Sequence, residues 1–289
     1  MEQDVLKSIE TAGRTCYKSE DKITEDSAAQ FVEMIKGRGH GAMLEHGTVY
    51  LKDESWIGSS LEKYKHNQYS RYNDEYLDRE VIEDGNDCYT EHKYGYYVTT
   101  NYRVLVENGW LDDLKYACEP AEHHARRISV RFICDRGVSH ELVRHRVFSF
   151  AQESTRFCNY SKDKFGNELT FILPDWAADS DVLAAIGEDG HFNKTSYLSE
   201  DRGEPNVAEP LIRSLLCAET VYLDLTANGC KAQQARQVLP NALKTEIVMT
   251  GFLSDWKGVF KLRCAENAHP DMRKLMIPLE AEFKAKGWL

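Results

Sequence analysis

The stretch RRISVRFICDRGVSHELVRHRVFSFAQESTRFCNY, residues 126–160, joins a strand pattern to a loop of polar side chains. In its first ten residues, apolar and polar side chains alternate, which is the period of a strand with one buried face. After the Arg-Gly pair at 136–137, the apolar residues predict a short helix over HELVRHRVF, capped by Ser139. Beyond Ser149 the pattern breaks, and we expect a loop rich in side-chain donors.

The same stretch concentrates positive charge in a chain whose formal net charge is −11. Between His123 and Tyr160, seven arginines stand against three acidic residues. Guanidinium groups bind phosphate oxygens in pairs and stack on flat rings, so this cluster predicts a site for a phosphorylated ligand. The alternative is an ordinary surface on which each arginine is solvated or pairs with an acid.

Composition limits the remaining classes of protein. A chain of 289 residues with 42% hydrophobic content can bury a substantial core. The negative net charge argues against nucleic acid or anionic membranes as partners, since both require a basic face. No apolar run is long enough to span a bilayer, and the N-terminus lacks the order of a signal peptide, so we expect a cytoplasmic protein. The eight cysteines form no C-x-x-C pair and are expected to be reduced.

Helical and strand patterns flank the quoted stretch. On the N-terminal side we predict a helix from about Glu25 to Lys36, capped by Thr24, and then the strand GTVYLK. Residues 54–120 are polar and tyrosine-rich, and we interpret them as an insertion with a weak strand at YGYYVTT and a helix from near Asn101.

The C-terminal half is predicted to be mainly helical. Apolar residues at helical spacing indicate four helices, separated in the middle by the short apolar segment EIVMTGFL. Their sequences are VAEPLIRSLLCAETVYLDLTANG, KAQQARQVL, SDWKGVFKLRC with Ser254 as its cap, and a last helix from about Pro270 to Lys286.

Two other segments contain residue types found in catalytic or metal sites. His40, Glu45 and His46 stand close together in HGAMLEHG, but they are too few and too irregular for a zinc site, so we predict no metal. Ser154 could be a nucleophile, yet local sequence places no histidine beside it. A serine in an arginine-rich loop more simply binds phosphate.

The Arg-His-Arg motif followed after seven residues by serine, seen here as Arg144–Arg146 and Ser154, resembles the signature of the flavin-dependent thymidylate synthases. Three further segments, GHGAMLEH, ARQVLP and FKLRCAENAHPDMRKL, resemble other parts of that family in the same order. The resemblance implies one α+β domain over residues 1–289, with helices around a twisted, largely antiparallel sheet. The segment at about 54–120 would then be a helical, tyrosine-rich insertion.

The resemblance also implies an activity. Family members methylate dUMP to dTMP, with methylenetetrahydrofolate as carbon donor and NADPH as reductant acting through FAD, in a homotetramer with active sites between subunits. The sequence contains no G-x-G-x-x-G after a strand, so a Rossmann-type dinucleotide site is unsupported. A flavin bound by arginines at a subunit interface needs no such motif.

The resemblance also implies roles for the residues of this sequence that match the family's motifs. Arg263 is expected to be catalytic, because the corresponding arginine contacts the pyrimidine and favours its ionised form, and a fixed cation stabilises negative charge most in a dry site. The expected dUMP contacts are Glu141, Arg144, Gln152, Ser154, Arg156, Arg236 and Arg263. The expected FAD contacts are His40, Arg144, His145, Arg146, Gln152 and Ser254.

Two other classes of function stay open from the sequence. A non-catalytic protein that senses a nucleotide could use the same arginines without a flavin. A phosphate-directed hydrolase would need clustered Asp and Glu ligands for a metal, which the arginine cluster lacks.

Overall fold

The computed structural model of the chain describes residues 2–56, 58–84, 87–178, 182–183, 185–187, 190–192 and 207–289. Within these residues, helices surround two three-stranded sheets whose neighbouring strands are all antiparallel. The α+β prediction is therefore confirmed, although the strands expected in one sheet are divided between two. None of the described helices is long and apolar enough to cross a membrane.

The second sheet is built from residues 126–160 and a strand more than eighty residues further on. Its strands are β4 (Arg127–Asp135), β5 (Ser149–Gln152) and β6 (Lys244–Phe252), and β6 lies between the other two. The predicted alternation along β4 is confirmed, since Phe132 and Cys134 are buried whereas Ile133 between them is exposed. The segment EIVMTGFL is thus mainly the central strand.

The first sheet contains the tyrosine-rich segment. Its strands are β1 (Thr48–Ser55), β2 (Arg71–Asp84) and β3 (Asp87–Asn101), in the order β1-β3-β2. The strand predicted at YGYYVTT is confirmed within β3, but the prediction of a mainly helical segment is wrong, because β2 and β3 form one long hairpin. Residues 73–81 and 89–90 of this hairpin are solvent-exposed, so their polar sequence lacks the alternation that marks a half-buried strand.

Helices precede and follow the first sheet. They are α1 (Glu2–Tyr17), α2 (Ser27–Gly37), α3 (Gly41–Leu44) and α4 (Tyr102–Asn108). The helix predicted near Asn101 is confirmed, with the Asn101 side chain accepting a hydrogen bond from the Val104 N–H. Helix α2 begins later than predicted, and Thr24 bonds the Ser27 hydroxyl through its backbone rather than acting as a side-chain cap.

The motif helix α5 (Arg136–Leu142) starts earlier and ends earlier than predicted. Asp135 is its cap and accepts a hydrogen bond from the Val138 N–H at 2.8 Å, whereas Ser139 lies inside the helix. An aspartate caps as well as a serine, and this one stands directly at the end of β4. Arg144 and Arg146 consequently lie on the turn between α5 and β5 rather than on the helix.

Helices complete the C-terminal half. They are α6 (Ala208–Ala227), α7 (Ala232–Ala235), α8 (Leu253–Arg263) and α9 (Pro270–Ala285). Short α7 continues as a 3-10 turn, so the longer helix predicted over KAQQARQVL is wrong in extent. The Ser254 cap is also wrong, because Phe252 occupies the cap position and Ser254 is exposed in the first turn. Trp256, Phe260 and Phe283 pack together in the core cluster that joins α8 and α9 to the second sheet.

Candidate functional site

Arg263, the last residue of α8, contacts two residues of the Arg-His-Arg region, by which we mean residues 141–146. Its Nη1 donates to a Glu141 carboxylate oxygen at 2.6 Å, and its Nη2 donates to the Glu141 carbonyl oxygen at 2.9 Å. Its Nε donates to Nε2 of His145 at 3.0 Å. The structure thus brings together three of the predicted site residues from two elements distant in sequence.

These contacts decide the protonation of the cluster. Burial lowers the pKa of His145, and the positive charge of Arg263 lowers it further, so the imidazole is neutral at physiological pH. Because Nε2 accepts from Arg263, the proton of His145 lies on Nδ1. Arg263 uses one hydrogen on each nitrogen, which leaves one N–H on each terminal nitrogen free to meet a ligand.

A second group of predicted residues lies on the loop after β5. The Ser154 backbone N–H donates to the carbonyl oxygen of Cys16 at the end of α1, at 3.0 Å. The Arg156 N–H donates to the Ser154 hydroxyl at 3.3 Å, and the exposed Arg156 guanidinium lies 5.4 Å from the centre of the Phe157 ring. The loop therefore presents a hydroxyl and a guanidinium on the same turn.

His40 joins this second group through Tyr17. The Tyr17 hydroxyl oxygen lies 2.7 Å from Nδ1 of His40, and the Tyr17 ring lies 5.2 Å from the Phe157 ring. Sequence reasoning missed Tyr17, since an aromatic residue at a helix end is usually part of the core. Its neighbours in GRTCYKSE carry no pattern that would have singled it out.

The remaining predicted residues differ in what they touch. The Gln152 amide nitrogen donates to Ser139 at 2.8 Å and to Thr245 at 3.2 Å, so only its carbonyl oxygen is available to a ligand. The exposed arginines Arg144, Arg146 and Arg236 form no ion pair with any residue in the described ranges. Ser254 contacts neither group.

The two sets of residues are separate: the Arg263 group consists of Glu141, His145 and Arg263, and the Ser154 group consists of Tyr17, His40, Ser154 and Arg156. No hydrogen bond, ion pair or ring contact within the described part of the chain joins the Arg263 group directly to the Ser154 group. The Arg263 group borders a cleft of about 520 Å³ whose wall includes Glu141, Trp176 and His269. A separate cleft of about 530 Å³ lies against Lys18, Glu153 and Lys244. One chain therefore carries the predicted residues as two separate groups.

A buried ionic cluster, also missed from the sequence, lies beside the second cleft. The Glu246 carboxylate, only 5% exposed, is bonded by Lys18 at 2.7 Å, by Lys244 at 2.5 Å and by Arg131. Burial raises the pKa of Glu246, but these three hydrogen bonds outweigh burial and lower it to about 2. Burial raises the pKa of neighbouring Glu153, which accepts a hydrogen bond from the Tyr160 hydroxyl at 2.8 Å.

The histidines of HGAMLEHG are arranged differently from a metal site. His46 is buried and its Nδ1 lies 2.8 Å from the Thr250 hydroxyl, whereas His40 is exposed at the other end of α3. Burial, together with the charge of Arg127, lowers the pKa of His46 to about 3. Across the residues that the structure describes, no three potential ligands come together to hold a metal ion.

Guanidinium groups that are exposed and have no acidic partner among the described residues can bind phosphate oxygens in pairs, so this antiparallel α+β chain has the donors that a protein binding a phosphorylated ligand needs. The family model "Thymidylate synthase complementing protein" matches residues 118–286, which is more than half of the chain. The chain therefore belongs to that family, and the resemblance inferred from the sequence is confirmed. The match includes Glu141, His145 and Arg263, whereas Tyr17 and His40 precede it.

Curated relatives carry the name flavin-dependent thymidylate synthase. One from Corynebacterium aurimucosum is 32% identical over 161 residues, covering 54% of this chain and 56% of the relative. One from Mycobacteroides abscessus is 29% identical over 180 residues, or 61% of each chain. One from Geobacter sulfurreducens is 29% identical over 144 residues, half of each chain. The matched region thus spans about half to three fifths of the length of these relatives.

Proposed function

We propose that this protein is a flavin-dependent thymidylate synthase, which methylates dUMP to dTMP with methylenetetrahydrofolate as carbon donor and NADPH as reductant. The observation that carries the proposal is the contact of Arg263 with both Glu141 and His145, within a chain of this family. This contact gives the Arg-His-Arg region a fixed cation with free N–H groups.

The donor set suits FAD. Arg144 and Arg146 are exposed without an acidic partner in the described residues, so they can meet a pyrophosphate without first breaking an ion pair. His40 and the neutral His145 offer imidazole nitrogens to a ring system. When bound, the flavin supplies the redox chemistry that transfers reducing equivalents from NADPH.

The chain's own residues bind and orient the nucleotide. The Ser154 hydroxyl and the Arg156 guanidinium suit the 5′-phosphate, with Arg236 adding positive charge. The Gln152 carbonyl oxygen can accept from a polar edge of the nucleotide. The free N–H groups of Arg263 donate to a pyrimidine carbonyl and stabilise the negative charge of the ionised base, which is most effective where water is excluded.

The separation of the two groups within one chain supports a proposal about assembly. We propose a homotetramer in which the Arg263 group of one copy and the Ser154 group of another share a ligand, so that each active site needs two chains. Contacts of α1 with strands of both sheets support one domain over residues 1–289. A cytoplasmic location completes the proposal, with no nucleic-acid or membrane partner.

The test is a visible absorption spectrum of the purified protein, followed anaerobically after NADPH is added with and without dUMP. A flavin band that bleaches faster with dUMP, and formation of dTMP when methylenetetrahydrofolate is supplied, are expected. A protein that binds dUMP but takes up no FAD would instead be a nucleotide sensor, the alternative function. Absence of both binding activities would refute the proposal for this site altogether.

A further inference from the structure

Tyr17 and His40 form a pair outside the region matched by the family model. Tyr17 is the last residue of α1, and His40 immediately precedes α3. Besides the 2.7 Å contact between the Tyr17 hydroxyl and Nδ1 of His40, the two rings are nearly parallel, with an interplanar angle of 19° and centroids 6.4 Å apart. Nε2 of His40 has no hydrogen-bond partner in the described part of the chain.

The direction of the hydrogen bond follows from the chemistry of its two partners. A phenol is a better donor than a neutral imidazole N–H, and an unprotonated imidazole nitrogen is a better acceptor than a phenol oxygen. Burial raises the pKa of Tyr17, so its hydroxyl keeps its proton at neutral pH. Nδ1 of His40, which accepts the hydrogen bond from Tyr17, carries no proton. In neutral His40 the ring proton then resides on Nε2.

We propose that Tyr17 is a positioning residue that holds His40 in the Nε2–H tautomer, so that Nε2 donates a hydrogen bond to an acceptor atom of the bound flavin. This inference deepens the proposed function and rests on it. It adds a residue of α1 to the site and assigns a direction to the His40 contact.

Three observations place this pair in the site rather than in the core. His40 is exposed, and the contact to Tyr17 lies at the surface, where a hydrogen bond contributes little to folding. The Tyr17 ring touches Phe157, next to the Arg156 guanidinium. The residue before Tyr17, Cys16, binds the backbone of Ser154. The end of α1 therefore supports both the histidine and the loop proposed to bind the phosphate.

The experiment compares the wild-type protein with Tyr17→Phe, which removes the hydroxyl and keeps the ring. With ¹⁵N-labelled histidine at about pH 8, ring nitrogen chemical shifts report the tautomer, and His40→Gln identifies the resonances of His40. Tyr69→Phe is the matched control, because Tyr69 is 60% exposed and distant in sequence from both residues. FAD affinity of each variant is measured by titration of the apoprotein.

The wild-type spectrum is expected to show a protonated Nε2 and an unprotonated Nδ1 for His40. In Tyr17→Phe the two tautomers should mix, and the dissociation constant for FAD should rise roughly three- to tenfold, the worth of one neutral hydrogen bond. Tyr69→Phe should match the wild type in both measurements.

The experiment distinguishes failure of the proposed function from failure of the role assigned to Tyr17. If the wild-type protein takes up no FAD, the proposed function is wrong. If it binds FAD, but Tyr17→Phe changes neither the ring nitrogen shifts of His40 nor the affinity, only the role of Tyr17 is overturned. A wild-type His40 that is protonated on Nδ1 would overturn it as well.

Discussion

The ionic cluster around Glu246 makes a strong prediction about stability. Replacing Glu246 with glutamine keeps the shape of the side chain but leaves Lys18, Lys244 and Arg131 without their shared counter-charge. A carboxyl pKa of about 2 in the folded protein, against an ordinary value of 4.5, corresponds by linkage to about 3 kcal/mol at neutral pH. Because the Arg131 side chain is 48% exposed and its interaction is screened, we expect Glu246→Gln to lose about 2 kcal/mol.

The pH dependence of this loss identifies its cause. The folded pKa of Glu246 lies below the unfolded one, so its contribution is complete above the unfolded pKa of 4.5 and disappears as the pH falls through about 2. The difference in free energy of unfolding between wild type and Glu246→Gln should therefore narrow from about pH 6 to about pH 3. Urea unfolding followed by circular dichroism measures both proteins at each pH.

The control variant is Glu33→Gln, which removes an exposed carboxylate paired with Lys36 and should cost no more than about 0.5 kcal/mol. Two results would refute the reasoning about Glu246. One is a loss at neutral pH no larger than that of the control. The other is a loss that stays constant as the pH falls, since it would then come from packing rather than from charge.

Further predictions concern the site and its surroundings. Arg263→Ala should reduce kcat roughly 10²- to 10³-fold while leaving the flavin band in place. The control is Lys257→Ala, an exposed position on the same helix, and dUMP-dependent NADPH oxidation measures the activity of both variants. Retained turnover in Arg263→Ala would remove Arg263 from catalysis. Arg156→Ala should raise the dissociation constant of dUMP roughly tenfold or more through loss of a charge-assisted contact, and an unchanged value by calorimetry would contradict the phosphate assignment. His46, with its pKa lowered to about 3, should stay neutral down to about pH 4. Its stabilising effect is complete above the unfolded pKa of 6.5 and falls as the pH drops towards 3, so an NMR titration of His46 with a midpoint near 6 would refute its burial.

The sequence predicted elements well where one short pattern determined them. The alternation in β4 and the periodicity of α6 and α9 reflect a single buried face each, and that face can be deduced without knowing its partner. In the hairpin of residues 71–101 only the strand at YGYYVTT could be predicted, because the exposed residues 73–81 of its other strand have no buried face. The ends of α5 were misplaced because Asp135 and Ser139 compete as caps, and only the geometry at the end of β4 decides between them.

The site was predictable in part for the same reason. The Arg-His-Arg region could be found from sequence, because a cluster of arginines in an acidic chain is visible without coordinates. The contacts of Arg263 with Glu141 and His145 join residues more than a hundred positions apart, and no local pattern encodes them. Tyr17 and Glu246 were missed because an aromatic residue at a helix end and an acid in a strand acquire their roles only from neighbours in space.

The two ends of the tyrosine-rich segment lie beside each other, and this affects which changes in length the protein can tolerate. Cys118 donates its backbone N–H to the Tyr50 carbonyl oxygen at 3.0 Å, and Leu51 bridges Ala117, so the segment begins and ends side by side. Between these points the segment contributes much of its own apolar core, including Leu61, Tyr64 and Val98. Doubling the length of a closed loop costs only about 0.6 kcal/mol of chain entropy, so insertions or deletions between β2 and β3 should change the free energy of unfolding little. Evolution can therefore lengthen or trim this part of the molecule while the spacing between Arg263 and the Arg-His-Arg region stays the same.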